Sequence, residues 1–169
     1  MESQIKYIHQ LLVTKKVTCT ELVQERLDLL KKNTYNSVNS LLDSLALELA
    51  AKVDAKIANG EEIGLLEGIP FGIKDVYMVQ GTYTTASSEL LKNYKAAYTA
   101  TAIQKLLDAG AIPLVKENCD SFGHGSSSEN TIFGAVKNNV WEGNYIKSLK
   151  QFIEFYSNIE DSYDTNRIA

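Results

Sequence analysis

Glycine is distributed very unevenly along this chain of 169 residues. None occurs before Gly60, nine lie between Gly60 and Gly134, and only Gly143 follows. Because glycine adopts backbone conformations that other residues avoid, it marks tight turns and close approaches of the backbone. The first third is therefore predicted to be regular and mostly helical, and the middle is predicted to hold the tight turns.

Apolar residues in the first third recur at helical spacing. Thr18 and Glu21 have the spacing of a capping box, which predicts where the second helix begins. The pattern predicts three helices, over residues 3–13, over about 19–32, and from a cap at Asp43 or Ser44 to just before Asn59. The apolar side of the third helix is predicted to consist of Leu45, Leu49, Val53 and Ile57.

Short apolar runs beside turn residues predict the strands. They cover residues 38–42, 68–75 and 111–116, and a helix capped by Thr101 and closed by Gly110 precedes the last of them. A helix, a turn with glycine and then a strand is the order found in layered α/β folds. The sequence therefore predicts an α/β protein.

The composition changes near Asn139. The last thirty residues hold six of the fifteen aromatic residues of the chain. We therefore predict two parts, residues 1–139 and an unrelated extension over 140–169. Ile146, Leu149, Ile153 and Tyr156 predict one helix over about 143–157, followed by a frayed tail.

Charge and hydropathy exclude several classes of function. The chain has 17 basic and 21 acidic residues, a net charge of −4, which excludes a basic nucleic-acid-binding face as its dominant property. No apolar run approaches the ~18 residues of a membrane span, and the start lacks the features of a signal peptide. Cys19 and Cys119 are too far apart in sequence to indicate a disulfide framework or a zinc site. We expect a cytoplasmic protein with no membrane association.

Lys74 is the first candidate for chemistry, because it closes a predicted strand in the segment Gly72-Ile73-Lys74-Asp75. The ordinary explanation is a solvated or ion-paired lysine. The functional explanation is a lysine whose pKa is lowered from about 10.4 by burial, so that it can act as a base. Asp75 would then fix a turn or hold the lysine by a hydrogen bond.

A second candidate is the polar segment over residues 122–130. Its hydroxyls belong to Ser126, Ser127 and Ser128, and the ordinary explanation is a Ser/Gly loop. It matches no phosphate-binding motif, His124 has no partners for a triad, and Cys119 has only Lys116 nearby to activate it. No metal-ligand spacing occurs. We expect the serine loop, residues 125–130, and Lys74 to lie at one end of the sheet.

Four motifs, taken in order, resemble the amidase signature family. They are LLEGIPFGIKD over 65–75, GTYTTASS over 81–88, AGAIPLVKEN over 109–118, and GSSSEN over 125–130 with Phe133 and Gly134. The resemblance covers about residues 1–138, and within the family it is strongest for the A subunit of glutamyl-tRNA(Gln) amidotransferase. It implies amino-terminal helices followed by the first strands and helices of that family's mixed sheet, which would be incomplete here.

The resemblance also implies a reaction, amide hydrolysis by a Ser–cis-Ser–Lys triad in which Lys74 is the base. In the amidotransferase, the A subunit releases ammonia from glutamine, and the B subunit uses it with ATP and magnesium to amidate glutamate on tRNA(Gln). The resemblance thus implies the B and C subunits as partners, only indirect contact with tRNA, and no cofactor or metal on this chain.

One departure from the family pattern affects activity. The family continues after Asn138 into a Gly/Ser-rich run that holds both serines, whereas this chain continues as NVWEGNY over 139–145. Val76 also stands where the amidotransferase usually has Asn. We expect a truncated family member, inactive alone, with Ser126, Ser127 and Ser128 as candidate substrate-binding residues. Two alternatives stay open: a non-catalytic remnant that docks a partner, and a fragment of an amidase for another small amide.

Overall fold

The computed structural model describes residues 3–137. The chain divides into two units, Met1–Val136 and Lys137–Ala169, and the description that follows concerns the first. The helix predicted over 143–157 and the tail after it lie outside the described residues, and the boundary predicted at Asn139 stays a prediction. No helix within residues 3–137 is long and apolar enough to cross a membrane.

The described residues contain four helices and three strands, close to the predicted positions. The capping box starts the second helix as predicted, because Thr18 Oγ1 accepts a hydrogen bond from Glu21 N at 3.1 Å and the Glu21 carboxylate accepts one from Thr18 N at 2.9 Å. The elements are α1 (Gln4–Val13), α2 (Cys19–Lys31), β1 (Val38–Leu41), α3 (Asp43–Ala58), β2 (Pro70–Lys74), α4 (Thr101–Asp108) and β3 (Ile112–Glu117). Two 3₁₀ turns lie at Glu89–Leu91 and Ser121–Gly123.

The three strands form a mixed sheet in the order β1-β3-β2. Strand β2 runs parallel to β3, with Lys74 opposite Glu117, and β1 runs antiparallel to β3, with Val38 opposite the same Glu117. The carboxyl ends of β2 and β3 therefore meet at one edge of the sheet, where ligand sites of parallel sheets gather. This mixed α/β sheet confirms the predicted fold class.

Two apolar clusters hold the helices on the sheet. The first joins α1, α2 and α3 to β3, and the second joins Ile73 of β2 to Ile103 of α4. The fully buried members of the first cluster are Leu12, Cys19, Val23, Leu27, Ala46, Ala50 and Ile112. The apolar periodicity of the helices thus accounts for their packing on the sheet.

The predicted cap of α3 is wrong. Leu42 is the residue before the helix, with no side-chain cap, and Asp43 is already helical. The reason is tertiary: Leu42 N donates to Leu114 O at 2.9 Å, so the chain turns into the helix directly from its place beside β3. Asp43 instead lies 3.2 Å from Lys31 as an ion pair between α2 and α3.

The buried side of α3 is also displaced from the predicted one. Ala46, Ala50 and Val53 are buried, whereas Leu45 and Leu49 are only half-buried. The small alanine side chains permit close packing of α3 on α2 and β3, so the larger leucines lie at the borders of that contact.

The predicted cap of α4 is wrong for a similar reason. Ala100 precedes the helix, and its N–H donates to Met78 O at 2.9 Å, while Thr101 is the first helical residue. The predicted end is confirmed, because Gly110 follows the helix with a φ of +80°, in the left-handed region that favours glycine.

Candidate functional site

Lys74 is the last residue of β2 and is exposed within the described part of the chain. Its ammonium lies beside the 3₁₀ turn that follows β3: a Cβ built on Gly123 would be 3.8 Å from Lys74 Nζ. Gly123 is two residues ahead of the serine loop. Lys74 and the start of that loop therefore lie at the same end of the sheet, as the topology of parallel strands predicts.

Asp75 is completely buried, and it pairs with a lysine other than its neighbour. Its Oδ1 lies 2.8 Å from Lys116 Nζ, and both side chains are at most 1% exposed. Lys116 also donates to Thr84 Oγ1 at 3.0 Å. Of the two roles that the sequence leaves open for Asp75, a hydrogen bond to Lys74 does not occur among the described residues.

The second carboxylate oxygen of Asp75 is bound just as closely. Its Oδ2 accepts hydrogen bonds from Thr85 Oγ1 at 2.5 Å and from Asn39 Nδ2 at 2.9 Å. Because successive side chains of a strand point to opposite sides, holding Asp75 in the interior directs Lys74 to the other side, toward Gly123. The role of Asp75 is thus to fix the end of β2.

A left-handed pair of residues joins this network to β3. Ala86 and Ser87 have φ values of 47° and 51°, which is uncommon for residues other than glycine. Ser87 Oγ donates to Asn118 Oδ1 at 3.0 Å and accepts from Cys119 N at 3.1 Å, which holds the pair in this conformation. Buried strained backbone of this kind persists only where its surroundings over-determine it, and it clusters at functional sites.

Asp120 shapes the serine loop. Its carboxylate accepts hydrogen bonds from Ser128 N at 2.8 Å and from Asn130 N at 3.0 Å. These backbone donors hold the pKa of Asp120 below its ordinary value, despite the opposing effect of burial. Gly125 is required beside it, because a Cβ there would lie 2.5 Å from the Asp120 carboxyl carbon.

The three candidate serines differ in their surroundings. Ser126 and Ser127 are exposed, and Ser127 Oγ donates to Glu129 Oε2 at 2.9 Å, whereas Ser128 is half-buried. His124 is exposed as well. The loop therefore exposes Ser126 and Ser127 at the surface.

The weak case for a reactive thiol at Cys119 is not supported by the geometry. Cys119 is 2% exposed and lies 3.4 Å from Ser87 Oγ. Lys116, the basic group that the sequence places nearest to it, is committed to Asp75. Cys119 is therefore a packed residue of the hydrogen-bonded network.

Sequence reasoning missed the roles of Lys116, Ser87 and Asp120. A signal for Lys116 was present, because it is a charged residue within an otherwise apolar strand, and a buried charge requires a partner. The buried hydroxyls of the segment over 81–88 had no such signal, since a Thr/Ser run is equally typical of an exposed turn.

This chain matches known proteins over most of its length. The model of the Amidase family matches residues 18–146, a range that passes the boundary predicted at Asn139. The A subunit of glutamyl-tRNA(Gln) amidotransferase from Trichormus variabilis is 44% identical over 142 residues, which are 83% of this chain and 29% of that protein.

Solved structures share the fold as well. One, described as a vestigial protein complex that reveals the evolutionary origins of an s-triazine catabolic enzyme, superposes with a TM-score of 0.76 at 26% identity, over 79% of this chain and 30% of that one. A bacterial aryl acylamidase of the amidase signature family has a TM-score of 0.70 at 27% identity, over 78% of this chain and 28% of that one. The chain thus spans less than a third of the length of each of these relatives.

Proposed function

We propose a function from the premise that this chain belongs to the amidase family, whose model matches residues 18–146. The chain supplies the amino-terminal part of an amidase domain of the kind found in the A subunit of glutamyl-tRNA(Gln) amidotransferase, in a reaction that releases ammonia from glutamine. The identity of 44% to that protein supports this choice over the aryl acylamidase, whose solved structure is 27% identical to this chain.

The placement of Lys74 is the observation that carries the proposal. Its ammonium is at the carboxyl end of β2, beside Gly123, and the buried pair of Asp75 and Lys116 directs it there. We assign to Lys74 the role of the base, and a base needs a hydroxyl whose proton it can take. Ser126, Ser127 and Ser128 are assigned to substrate binding, since the family does not use this loop as the nucleophile.

The nucleophile itself is not assigned to this chain. The residues after Asn138 read NVWEGNY, and no Gly-Gly-Ser-Ser-Gly-Gly run of the kind that holds the Ser–cis-Ser pair in the family occurs in the sequence. We therefore propose that the chain alone does not hydrolyse glutamine. Its proposed partners are the B and C subunits of the amidotransferase, with ATP and magnesium acting on the B subunit and tRNA contacted only indirectly. The proposed location is the cytoplasm.

Ammonia release from glutamine by the purified chain tests the inactivity. We expect no release above the blank, and the same result for Lys74→Ala. Release by the chain that Lys74→Ala abolishes would contradict the proposal, because it would require a nucleophile among the residues present.

A chimera tests the role of Lys74. Residues 18–137 of this chain replace the matching segment of the Trichormus variabilis protein, and glutaminase activity is measured in its complex. We expect activity that Lys74→Ala reduces by at least 10³-fold. Lys52→Ala is the control, because this lysine is exposed and pairs with Glu48 on α3. Equal activity of the two variants would remove Lys74 from the mechanism.

The fold similarity to the aryl acylamidase favours a second candidate, an amidase for another small amide. The same chimera, offered acylanilides as well as glutamine, distinguishes the two. Turnover of the acylanilide alone would favour the second candidate. An inactive but folded chimera would favour a non-catalytic remnant.

A further inference from the structure

Asn118 follows β3 directly and is buried, and both ends of its side-chain amide are fully used. Its Nδ2 group donates to Asn36 O at 2.7 Å and to Gly134 O at 3.1 Å. Its Oδ1 accepts from Ser87 Oγ at 3.0 Å and from Thr131 Oγ1 at 2.7 Å. A buried amide whose donors and acceptor are all paired holds the segments that it joins in one arrangement.

The stem of the serine loop is among the segments that this amide joins. Thr131 directly follows the loop, and Ser121 N closes the stem by donating to Asn130 O at 2.7 Å. On one side of the stem, Ser121 Oγ donates to Ser87 O at 2.9 Å. On the other side, Ile132 N donates to the same oxygen at 3.2 Å. Both sides of the stem are therefore anchored on the network around the amide.

The same network reaches the end of β2, where Lys74 lies. Asp75, the residue after Lys74, accepts at Oδ2 from Asn39 Nδ2 at 2.9 Å. Asn39 Nδ2 also donates to Ser87 Oγ at 3.0 Å, and Ser87 Oγ donates to the Asn118 amide. A continuous series of hydrogen bonds thus runs from Asp75 through Ser87 to Asn118, and from there to the stem of the serine loop.

We propose that Asn118 is a positioning residue, which through Thr131 sets the place of the serine loop relative to Lys74. The consequence for activity rests on the proposed function, which assigns the loop to substrate binding and the role of the base to Lys74. A displaced loop weakens the binding of the ground state and of the transition state alike, which raises KM and leaves kcat nearly unchanged. A merely structural role would instead reduce the amount of folded enzyme, and so the apparent kcat, without raising KM.

Thr131→Val tests the positioning with little change in shape. Valine keeps the branched side chain of threonine but removes the hydroxyl that donates to Asn118, whereas Thr131→Ser keeps a hydroxyl. Thr82→Val is the matched control, because Thr82 is half-buried like Thr131 and its Oγ1 donates to Val79 O at 2.8 Å, within its own turn. Asn118 itself is left unchanged, since its replacement by alanine would break five hydrogen bonds at once.

Glutamine hydrolysis is measured in the chimera that carries residues 18–137 of this chain, in its complex. Thr131→Val is expected to raise KM for glutamine at least fivefold, with kcat within twofold of the unsubstituted chimera. Thr131→Ser is expected to restore KM to within twofold, because the serine hydroxyl can make the same hydrogen bond. Thr82→Val is expected to leave both constants within twofold.

Hydrogen exchange of the whole chain, followed by NMR, provides a readout that needs no activity. Thr131→Val is expected to speed exchange at the amides of Asn130 and Ile132 at least tenfold, because the stem of the loop loses an anchor. The amide of Asp75, which donates to Glu117 O at 3.0 Å between β2 and β3, is expected to keep its rate. An unchanged rate at Asp75 shows that the effect is confined to the loop.

Three results would overturn the inference: exchange at Asn130 and Ile132 that Thr131→Val leaves unchanged, a fall in kcat with an unchanged KM, or an equal rise of KM in Thr82→Val. The second result would leave Thr131 a merely structural role. An unsubstituted chimera that releases no ammonia contradicts the proposed function instead. The exchange rates then decide by themselves whether Asn118 positions the loop.

Discussion

Lys116→Met should destabilise the fold more than the loss of an exposed lysine does. Methionine keeps the apolar stem of the lysine but removes the ammonium, which lies 2.8 Å from Asp75 Oδ1 in an interior that water does not reach. Within the described residues, that oxygen has no hydrogen-bond partner apart from the ion pair. The substitution therefore leaves a buried carboxylate with one uncompensated oxygen.

The magnitude follows from the distance and the burial. At 2.8 Å and an effective dielectric constant of about 20, the attraction between the two charges is about 6 kcal/mol. Desolvation costs several kcal/mol for each ion, so the intact pair contributes little net stability. Removing one partner keeps the desolvation cost of the other, and a loss of about 3–5 kcal/mol is expected. That loss is a large part of the ~5–15 kcal/mol that stabilises a typical domain.

Urea denaturation followed by far-UV circular dichroism at pH 7 measures the effect. The double variant Asp75→Asn with Lys116→Met is expected to regain at least about 2 kcal/mol relative to the sum of the single variants, because no charge is then left buried. Lys52→Met is the control: its ion pair with Glu48 is about two-thirds exposed on both sides, and a change within about 0.5 kcal/mol is expected. A loss below about 1 kcal/mol for Lys116→Met, or strict additivity in the double variant, would refute the reasoning.

Gly68→Ala should cost about 1–3 kcal/mol more than Gly60→Ala in the same urea experiment. Both glycines have φ near +80°, but a Cβ on Gly68 would lie 2.8 Å from Leu12 Cδ1, whereas one on Gly60 meets nothing within 4 Å. Equal losses of stability would show that the core around Leu12 rearranges at little cost. The stability of the chain should also fall in alkali, because burial and then the nearby charge of Asp54 raise the pKa of Cys19 to about 12. The stability that the protonated Cys19 thiol contributes is fully present below its unfolded pKa of about 8.5. It is lost as the pH rises toward 12, at up to about 1.4 kcal/mol per pH unit. Cys19→Ala should therefore flatten the decline measured between pH 9 and 11, and an unchanged slope would contradict this assignment.

Local patterns in the sequence were sufficient for the positions of the helices and strands. The capping box of Thr18 and Glu21 is a contact between residues three apart, so the sequence alone specifies it. The cap at Leu42 depends instead on Leu114, far along the chain, which no local pattern can reveal. The errors at the starts of α3 and α4 share this cause, because each start is fixed by a bond to a distant segment.

The candidate site shows the same difference between local contacts, which the sequence reveals, and distant ones, which it does not. Lys74 was identified from its place at the end of a predicted strand, and its neighbour Asp75 was noticed only as a local partner. The actual partner, Lys116, lies on the adjacent strand, and its pairing follows from the parallel register of β2 with β3. A single sequence shows that Lys116 is charged but does not show how β2 aligns with β3. The pairing of Lys116 with Asp75 could therefore not be predicted.

The buried network explains why hydrogen-bonded side chains fill one side of the strand end at Lys74, whereas the other side is exposed. Asp75 is held by Lys116, Thr85 and Asn39, so the interior side of the strand end has no room for substrate. On the opposite side, Lys74 is exposed and faces Gly123. A base that is positioned from within can meet a hydroxyl group on this exposed side of the strand end. The proposed chemistry of Lys74 therefore belongs to the side of β2 where Gly123 lies.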